Sequence, residues 1–143
     1  MPRFAARAQG LAEGLALQHG YPAVSKPPQK PDGAMAAIGK KLALRDGGFS
    51  CVSCHGVGKK PPEAVFEVPG TNFMYASERL RREHYHRWML DPSRVVKYSR
   101  MPQFADDEAR SPFTGYYGGD ARKQFESIWQ WFLEGRGITP AVK

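Results

Sequence analysis

The strongest hydrophobic pattern in the chain lies near its C-terminus. Apolar side chains recur there at the i, i+3, i+4, i+7 and i+8 positions of one helical face: Phe125, Ile128, Trp129, Phe132 and Leu133. Gly135 and Gly137 follow and supply a stop signal. The pattern predicts an amphipathic helix over about 120–134.

Two weaker helical patterns precede it. Asp32 is a suitable N-cap for the first of them. Apolar residues then recur once per helical turn, at Ala34, Ile38 and Leu42. Gly47 and Gly48 end this pattern. A second helix is predicted over about 77–91, because the ring of Pro92 cannot continue the backbone ladder. Leu80, His84 and Trp88 share one face of this helix. Tyr85 and Met89 lie beside that face.

The N-terminal part has a different composition. Within residues 1–20, four apolar residues recur at helical spacing: Phe4, Ala8, Leu11 and Leu15. Gly10 and Gly14 would weaken a helix there. Residues 22–31 contain four prolines and indicate an extended linker or a wrapping arm: Pro22, Pro27, Pro28 and Pro31. We therefore expect an N-terminal extension over 1–31 and one domain over 32–143.

The rest of the chain offers no pattern for strands. No segment alternates polar and apolar residues with period two, and no internal repeat is visible. The stretches 56–76 and 93–119 carry turn-forming glycine and proline, so we expect long loops there. Apolar residues make up 41% of the 143 residues, which suffices for one modest core. The sequence predicts a small all-α domain.

The net charge of +7 raises the question of nucleic acid. The cations are spread along the chain, and the only dense run is Arg79-Leu80-Arg81-Arg82. This distribution favours a solvated basic surface over a nucleic-acid site and is compatible with acidic protein partners. No run of about 18 apolar residues occurs, so no membrane-spanning helix is expected.

Both cysteines of the chain lie in one five-residue motif, Cys51-Val52-Ser53-Cys54-His55. This spacing is typical of covalent haem attachment, in which each thiol adds to one vinyl group. His55, next to the second cysteine, is positioned to place an imidazole nitrogen on the iron. The motif thus predicts one haem c, held by Cys51 and Cys54, with His55 as a metal ligand.

A Cys-x-x-Cys pair also occurs in redox dithiols and in zinc sites. A redox dithiol is disfavoured by the histidine that follows directly and by the lack of a βαβ pattern. A structural zinc site usually needs four ligands. His55, His84 and His86 could contribute to one, but no second cysteine pair exists.

The second axial ligand is less tightly specified. Met101 is the best candidate, because it lies in an irregular segment that Pro102 stiffens, and a soft sulfur ligand favours reduced iron. An ordinary core or surface methionine is the alternative at this position. The weaker ligand candidates are Met74, Met89, Met35, His84, His86 and His19.

This order of elements resembles the class I c-type cytochromes. The family pattern is a helix, Cys-x-x-Cys-His, a loop, helices, a Met-Pro loop and a final helix, found here at 39–42, 51–55, 88–92, 100–104 and 128–133. The stretch 88–104 is especially similar to haem domains appended to larger bacterial oxidoreductases. The resemblance covers about 33–137 and leaves out 1–31 and the long segment 106–119.

The resemblance implies a class I cytochrome c fold with His55 and Met101 as the axial ligands. It also implies that Gly39 lets the first helix of the domain cross closely over the last one, against Trp129, Trp131 or Phe132. The segment 106–119 carries Phe113, Tyr116 and Tyr117, which would pack on the haem edge, contact a partner or form a plain apolar loop.

The expected function is single-electron transfer on a His/Met-ligated haem, without an enzymatic reaction in this domain. The alternative is a haem sensor or peroxidase-like domain with a labile sixth ligand. A redox protein, docked through acidic groups, is the expected partner. Because haem is attached to such proteins outside the cytoplasm, we expect a periplasmic or other extracytoplasmic location, with the targeting segment absent from this sequence.

Overall fold

The computed structural model describes residues 5–21, 29–65 and 67–140, and over these residues the chain is mostly helical and contains no β-strand. This confirms the predicted all-α class. The α-helices, in chain order, are α1 (Ala5–Gln18), α2 (Gly33–Leu42), α3 (Cys51–Cys54), α4 (Ala76–Arg79), α5 (Arg82–Leu90), α6 (Pro92–Val95) and α7 (Ala121–Phe132). Short 3-10 turns lie at Phe73–Tyr75, Tyr117–Gly119 and Gly135–Gly137.

Helices α2 and α7 cross at the centre of the core. Asp32 caps α2 as predicted, since its carboxylate accepts from the backbone N–H groups of Ala34 (2.9 Å) and Met35 (3.0 Å). A Cβ at Gly39 would overlap the backbone carbonyl of Ser127. The close crossing expected at Gly39 is therefore present, but its nearest neighbours are the backbone atoms of Ser127 and Ile128 rather than an aromatic ring.

The buried face of α2 differs from the predicted one. Ala36, Gly39 and Leu42 are buried, whereas Ala34 is exposed and Ile38 is half-buried. The helix also ends at Leu42, well before Gly47. The crossing at Gly39 fixes which side of α2 meets α7, and spacing among bulky residues alone does not reveal that side.

Helix α7 follows the prediction closely. The carboxylate of Asp120 accepts from the Lys123 N–H at 3.1 Å and caps the helix, which ends at Phe132. Four residues of the predicted face are buried: Phe125, Ile128, Trp129 and Phe132. The fifth, Leu133, is half-exposed. Trp131 is fully buried as well, because α2, α4, α5 and the turn Phe73–Tyr75 all pack against α7.

The single helix predicted over 77–91 is wrong, because the chain breaks there into separate pieces. Leu80 and Arg81 adopt extended backbone angles between α4 and α5. Leu80, which was expected on the apolar face, is 38% exposed at this break. Tyr85 and Met89 form the buried face of α5, while His84 and Trp88 are half-buried. Pro92 does end α5, but it also begins α6, where its missing N–H costs nothing.

The long segment 106–119 is fastened to α7. The fully buried Gln124 side chain donates to the carbonyls of Phe113 and Tyr116, each at 2.8 Å, and accepts from the Ser111 hydroxyl at 2.5 Å. Phe113 packs edge-on against Phe49, with ring centroids 4.9 Å apart. The segment therefore covers the protein's own core, and its aromatic residues serve internal packing.

The expected N-terminal helix is present as α1, but it packs loosely, since Leu11, Leu15 and Leu17 are all exposed. Three of the prolines assigned to the extended arm lie outside the described residues: Pro22, Pro27 and Pro28. Among the described residues, no helix is long and apolar enough to span a membrane.

Candidate haem site

The motif at 51–55 follows a tight turn that leaves α2. Phe49 and Ser50 donate their N–H groups to the carbonyls of Leu42 (2.7 Å) and Leu44 (3.0 Å). A Cβ at Gly48 would overlap the Leu42 carbonyl, so the turn requires glycine there. The short helix α3 then presents Cys51, which is buried, and Cys54, which is half-buried; both are free cysteines.

The imidazole of His55 is held on three sides. Its Nδ1 lies 2.8 Å from the carbonyl oxygen of Thr71. The ring stacks on Phe73, with centroids 4.7 Å apart and planes 17° from parallel. A Cβ added at Gly70 would overlap several atoms of the His55 ring. The Gly70 backbone therefore lies directly against the imidazole.

These contacts define which nitrogen of His55 can bind a metal. A carbonyl oxygen only accepts, so Nδ1 carries the proton and Nε2 keeps its lone pair. Burial lowers the pKa of His55, and the hydrogen bond to Thr71 opposes this only in part. A neutral imidazole with Nδ1–H bonded to a backbone carbonyl is the form in which histidine coordinates metals.

Asn72 fixes the segment that carries Thr71 and Phe73. Its side-chain amide donates to the Gly58 carbonyl at 2.8 Å, and its amide oxygen accepts from the N–H groups of Gly58 (3.1 Å) and Met74 (3.0 Å). Backbone hydrogen bonds tie the same segment to the motif, from Gly70 N–H to the Cys54 carbonyl at 2.8 Å, and from Phe73 N–H to the Gly56 carbonyl at 2.9 Å.

The sequence pattern does not reveal these supports of His55. Thr71 acts through its backbone carbonyl, so its side-chain identity gives no signal. Asn72 carries a weak signal, since asparagine favours turns and helix starts. Nothing in the spacing from the motif marks Phe73 as the stacking partner of His55.

The thiol of Cys51 is protonated at neutral pH. Burial, assisted by the nearby Cys54, raises the pKa of Cys51 to about 12. A redox-active dithiol needs a cysteine whose pKa is lowered toward or below neutrality. The environment of Cys51 is therefore unlike that of an activated dithiol.

Met101 follows α6 and lies beside Trp88 of α5. Its sulfur accepts a hydrogen bond from the indole Nε1 of Trp88 at 2.9 Å. Its backbone N–H donates to the Ser99 hydroxyl at 3.2 Å. The side chain is half-buried and packs on the same hydrophobic core that contains Cys51.

The other ligand candidates have other surroundings. Met89 is buried in the core, and Met74 lines a cavity of about 540 Å³ between the loop after the motif and the turn near Ile138. The ring of His86 lies 2.7 Å from the Glu126 carboxylate, and the ring of His84 stacks on Trp88 at 6.4 Å. Met35 is half-buried on α2, and His19 is exposed after α1.

Within the described ranges, no group of three or more His, Cys, Asp or Glu side chains is placed to hold a metal ion.

Two buried donors on α7 lack an acceptor in the described part of the chain. They are the indole N–H groups of Trp129 and Trp131. An unpaired buried donor costs about 1–3 kcal/mol. The Trp131 ring contacts Phe73 edge-on, with centroids 5.7 Å apart, and so lies next to the ring that stacks on His55. No described residue accounts for these two open donors.

Comparisons with known proteins add no family. No protein-family model matches the chain, and searches of curated proteins and of solved structures found no significant match.

Proposed function

We propose that this chain is a class I c-type cytochrome domain, a monohaem electron carrier. The observation that carries the proposal is the placement of His55: its Nδ1 lies against the Thr71 carbonyl, its Nε2 has no hydrogen-bond partner among the described residues, and it directly follows the second of two free cysteines. The thiols and the imidazole form a donor set that fits haem c.

Each residue has a distinct role in this proposal. Cys51 and Cys54 would hold the haem by adding their S–H groups across its two vinyl groups, an addition that needs no oxidant. Nε2 of His55 and the thioether sulfur of Met101 would bind the iron. Bound haem contributes an iron centre that cycles between Fe(II) and Fe(III).

The surroundings favour a high potential. A thioether ligand and a poorly solvated core both stabilise reduced iron over oxidised iron. Trp88 adds to this, because its N–H bond to the Met101 sulfur withdraws electron density from the ligand. Such an iron centre exchanges electrons with another redox protein and transforms no substrate. An extracytoplasmic location follows from covalent haem attachment.

The test is the optical spectrum of the reduced protein, recorded with and without carbon monoxide. We expect a low-spin c-type spectrum that carbon monoxide does not shift, and haem that stays with the chain under denaturing conditions. Replacing both cysteines by alanine should release the haem on denaturation. Covalent haem that persists in this double variant would refute the assignment of the motif.

Met101→Ala tests the second ligand. The variant should bind carbon monoxide and lower the reduction potential, because the soft sulfur ligand is lost. Met74→Ala is the matched control and should change neither the response to carbon monoxide nor the reduction potential. A wild-type spectrum that carbon monoxide shifts would instead favour a sensor or peroxidase-like domain.

A further inference from the structure

The cavity of about 540 Å³ beside Met74 has an apolar wall. Four apolar residues from the loop after the motif, the turn at 73–75 and the C-terminal turn line it: Val57, Met74, Ile138 and Pro140. Val57 and Ile138 are buried, while Met74 and Pro140 are half-buried. Small-molecule sites have volumes of about 300–1,000 Å³ and mostly apolar walls, so the size and lining of this cavity suit a small organic ligand.

Hydrogen bonds and one close backbone approach hold the cavity open. Gly58 lies against the Ile138 carbonyl, which a Cβ at Gly58 would overlap. The side chain of Asn72 bonds the N–H of Gly58 at 3.1 Å and its carbonyl at 2.8 Å. Val57 and Lys60 exchange backbone hydrogen bonds of 2.9 Å and 3.0 Å. Because the walls are fixed before a ligand arrives, binding costs little ordering of the chain.

Cations line the exposed part of the cavity. Lys59, Lys60 and Arg136 are exposed lining residues. Lys40 lies beside them, since its ammonium group donates to the hydroxyl of the lining residue Thr139 at 2.9 Å. None of the described residues that line the cavity is acidic.

Two carboxylates offset only part of this positive charge. Lys60 pairs with Glu63 at 2.6 Å, and Arg136 pairs with Glu78 at 3.3 Å. Exposed pairs of this kind contribute little stability, so both cations can turn toward a ligand. The other two cations have no carboxylate partner within the described part of the chain. The opening of the cavity therefore favours an anion.

We propose that this cavity binds a small amphipathic carboxylate. The apolar body of the ligand packs on Val57, Met74 and Ile138, and its carboxylate lies among the cations of the opening. A charged hydrogen bond from lysine or arginine to a carboxylate is stronger than a neutral one, which selects an anion over a neutral molecule of the same shape. The inference goes beyond the proposed function, because none of the residues proposed to hold haem lines the cavity.

The experiment titrates the full haem-loaded chain, kept reduced, with naphthalene-2-carboxylate as the probe. Amide NMR shifts should change over 57–60 and 136–139 and at residue 74, with a Kd of about 1 mM or below. The matched alcohol 2-naphthylmethanol keeps the rings but has no charge, and it should bind about tenfold more weakly. An optical spectrum of the same sample reports on the haem separately, so failure of the proposed function is distinguishable from failure of this site.

One substitution fills the cavity without removing charge. Gly137 lines the cavity, and a Cβ there meets nothing within 4 Å. Gly137→Phe should place a ring against the apolar wall and weaken binding of the probe at least about tenfold. Gly115→Phe is the matched control, since a Cβ at Gly115 also has open space but lies outside the cavity lining. It should leave the affinity unchanged.

Two double variants with the same change in net charge test the cations. Lys59→Gln with Arg136→Gln should weaken binding by about tenfold, because both residues line the cavity. Lys41→Gln with Arg122→Gln, at exposed positions of α2 and α7, should change the affinity by less than about twofold. Equal weakening in the two double variants would show a general effect of charge and overturn the proposal.

Three other results would also overturn it. The first is the absence of saturable shifts at the cavity residues up to about 10 mM probe. The second is equal affinity for the carboxylate and the alcohol, which would remove the role of the cations. The third is displacement of the probe by vesicles that contain phosphatidylglycerol, which would assign the cavity to a lipid surface instead of a small soluble ligand.

Discussion

At the residue scale, the structure turns a motif into a defined chemical state. The sequence predicts that Cys51, Cys54 and His55 act together, because their spacing is typical of one kind of attachment site. It does not predict the tautomer of His55, since the group that selects it is a backbone carbonyl 16 residues later. A long loop brings that carbonyl to the ring, and its path depends on the hydrogen bonds of Asn72.

Gly70→Ala tests whether the contact with the His55 ring matters. The backbone of Gly70 is compatible with alanine, but the added Cβ would overlap the imidazole. We expect the ring to tilt away from the Thr71 carbonyl, with a loss of about 1–3 kcal/mol of unfolding free energy. If the chain binds haem through His55 as proposed, the electron paramagnetic resonance signal of the oxidised, loaded protein should also change, because the imidazole is reoriented.

Gly115→Ala is the matched control for this variant, since a Cβ there meets nothing within 4 Å. It should leave the unfolding free energy and the resonance signal unchanged. A Gly70→Ala variant with the wild-type resonance signal would mean that the loop yields instead of the ring.

At the element scale, hydrophobic spacing predicts that helices occur but not how they are phased or divided. The helix over 120–134 is predicted well, because its apolar face is wide and its cap, Asp120, is unambiguous. For α2 only part of the predicted face is buried, because the contact that decides the buried side is made by Gly39, which has no side chain. The break at Leu80 is missed, since no proline or glycine marks it.

Gly39→Ala tests the crossing of α2 and α7. The added Cβ would overlap the Ser127 carbonyl, which belongs to the backbone and cannot rotate away. Alanine favours the helix itself by about 1 kcal/mol, so a net loss of unfolding free energy can only come from the forced separation of the two helices. We expect a net loss of about 1–3 kcal/mol in urea unfolding.

Gly33→Ala lies on the same helix and has open space around it. It should be neutral or slightly stabilising. Equal effects of the two substitutions would show that helix propensity, rather than the close crossing, determines the result.

At the scale of the whole molecule, one carboxylate links three helices. Glu126 on α7 accepts from Arg82 (2.8 Å) and lies 2.7 Å from the ring nitrogen of His86, both on α5. It also accepts from the side chain of Gln130 at 2.7 Å. The amide oxygen of Gln130 accepts in turn from the N–H of Asp32 at the start of α2. No sequence pattern predicts this network, because its members are up to 98 residues apart.

The acid stability of the fold should depend on Glu126. Burial acts to raise the pKa of this carboxyl, but the hydrogen bonds from Gln130, Arg82 and His86 outweigh it and hold the pKa below its usual value of 4.5. A carboxylate with a lowered pKa contributes stability that is fully present above pH 4.5 and is lost as the pH falls through the folded-state value. Glu126→Gln should therefore cost about 1–2 kcal/mol of unfolding free energy at pH 7. The difference from the wild type should shrink below pH 4.5, as followed by urea unfolding between pH 7 and pH 3.

Glu134→Gln, at an exposed carboxyl just after α7, should leave the pH profile unchanged. A difference between Glu126→Gln and the wild type that stays constant over this range would mean that side-chain shape, and not the ionised carboxylate, holds α5 against α7.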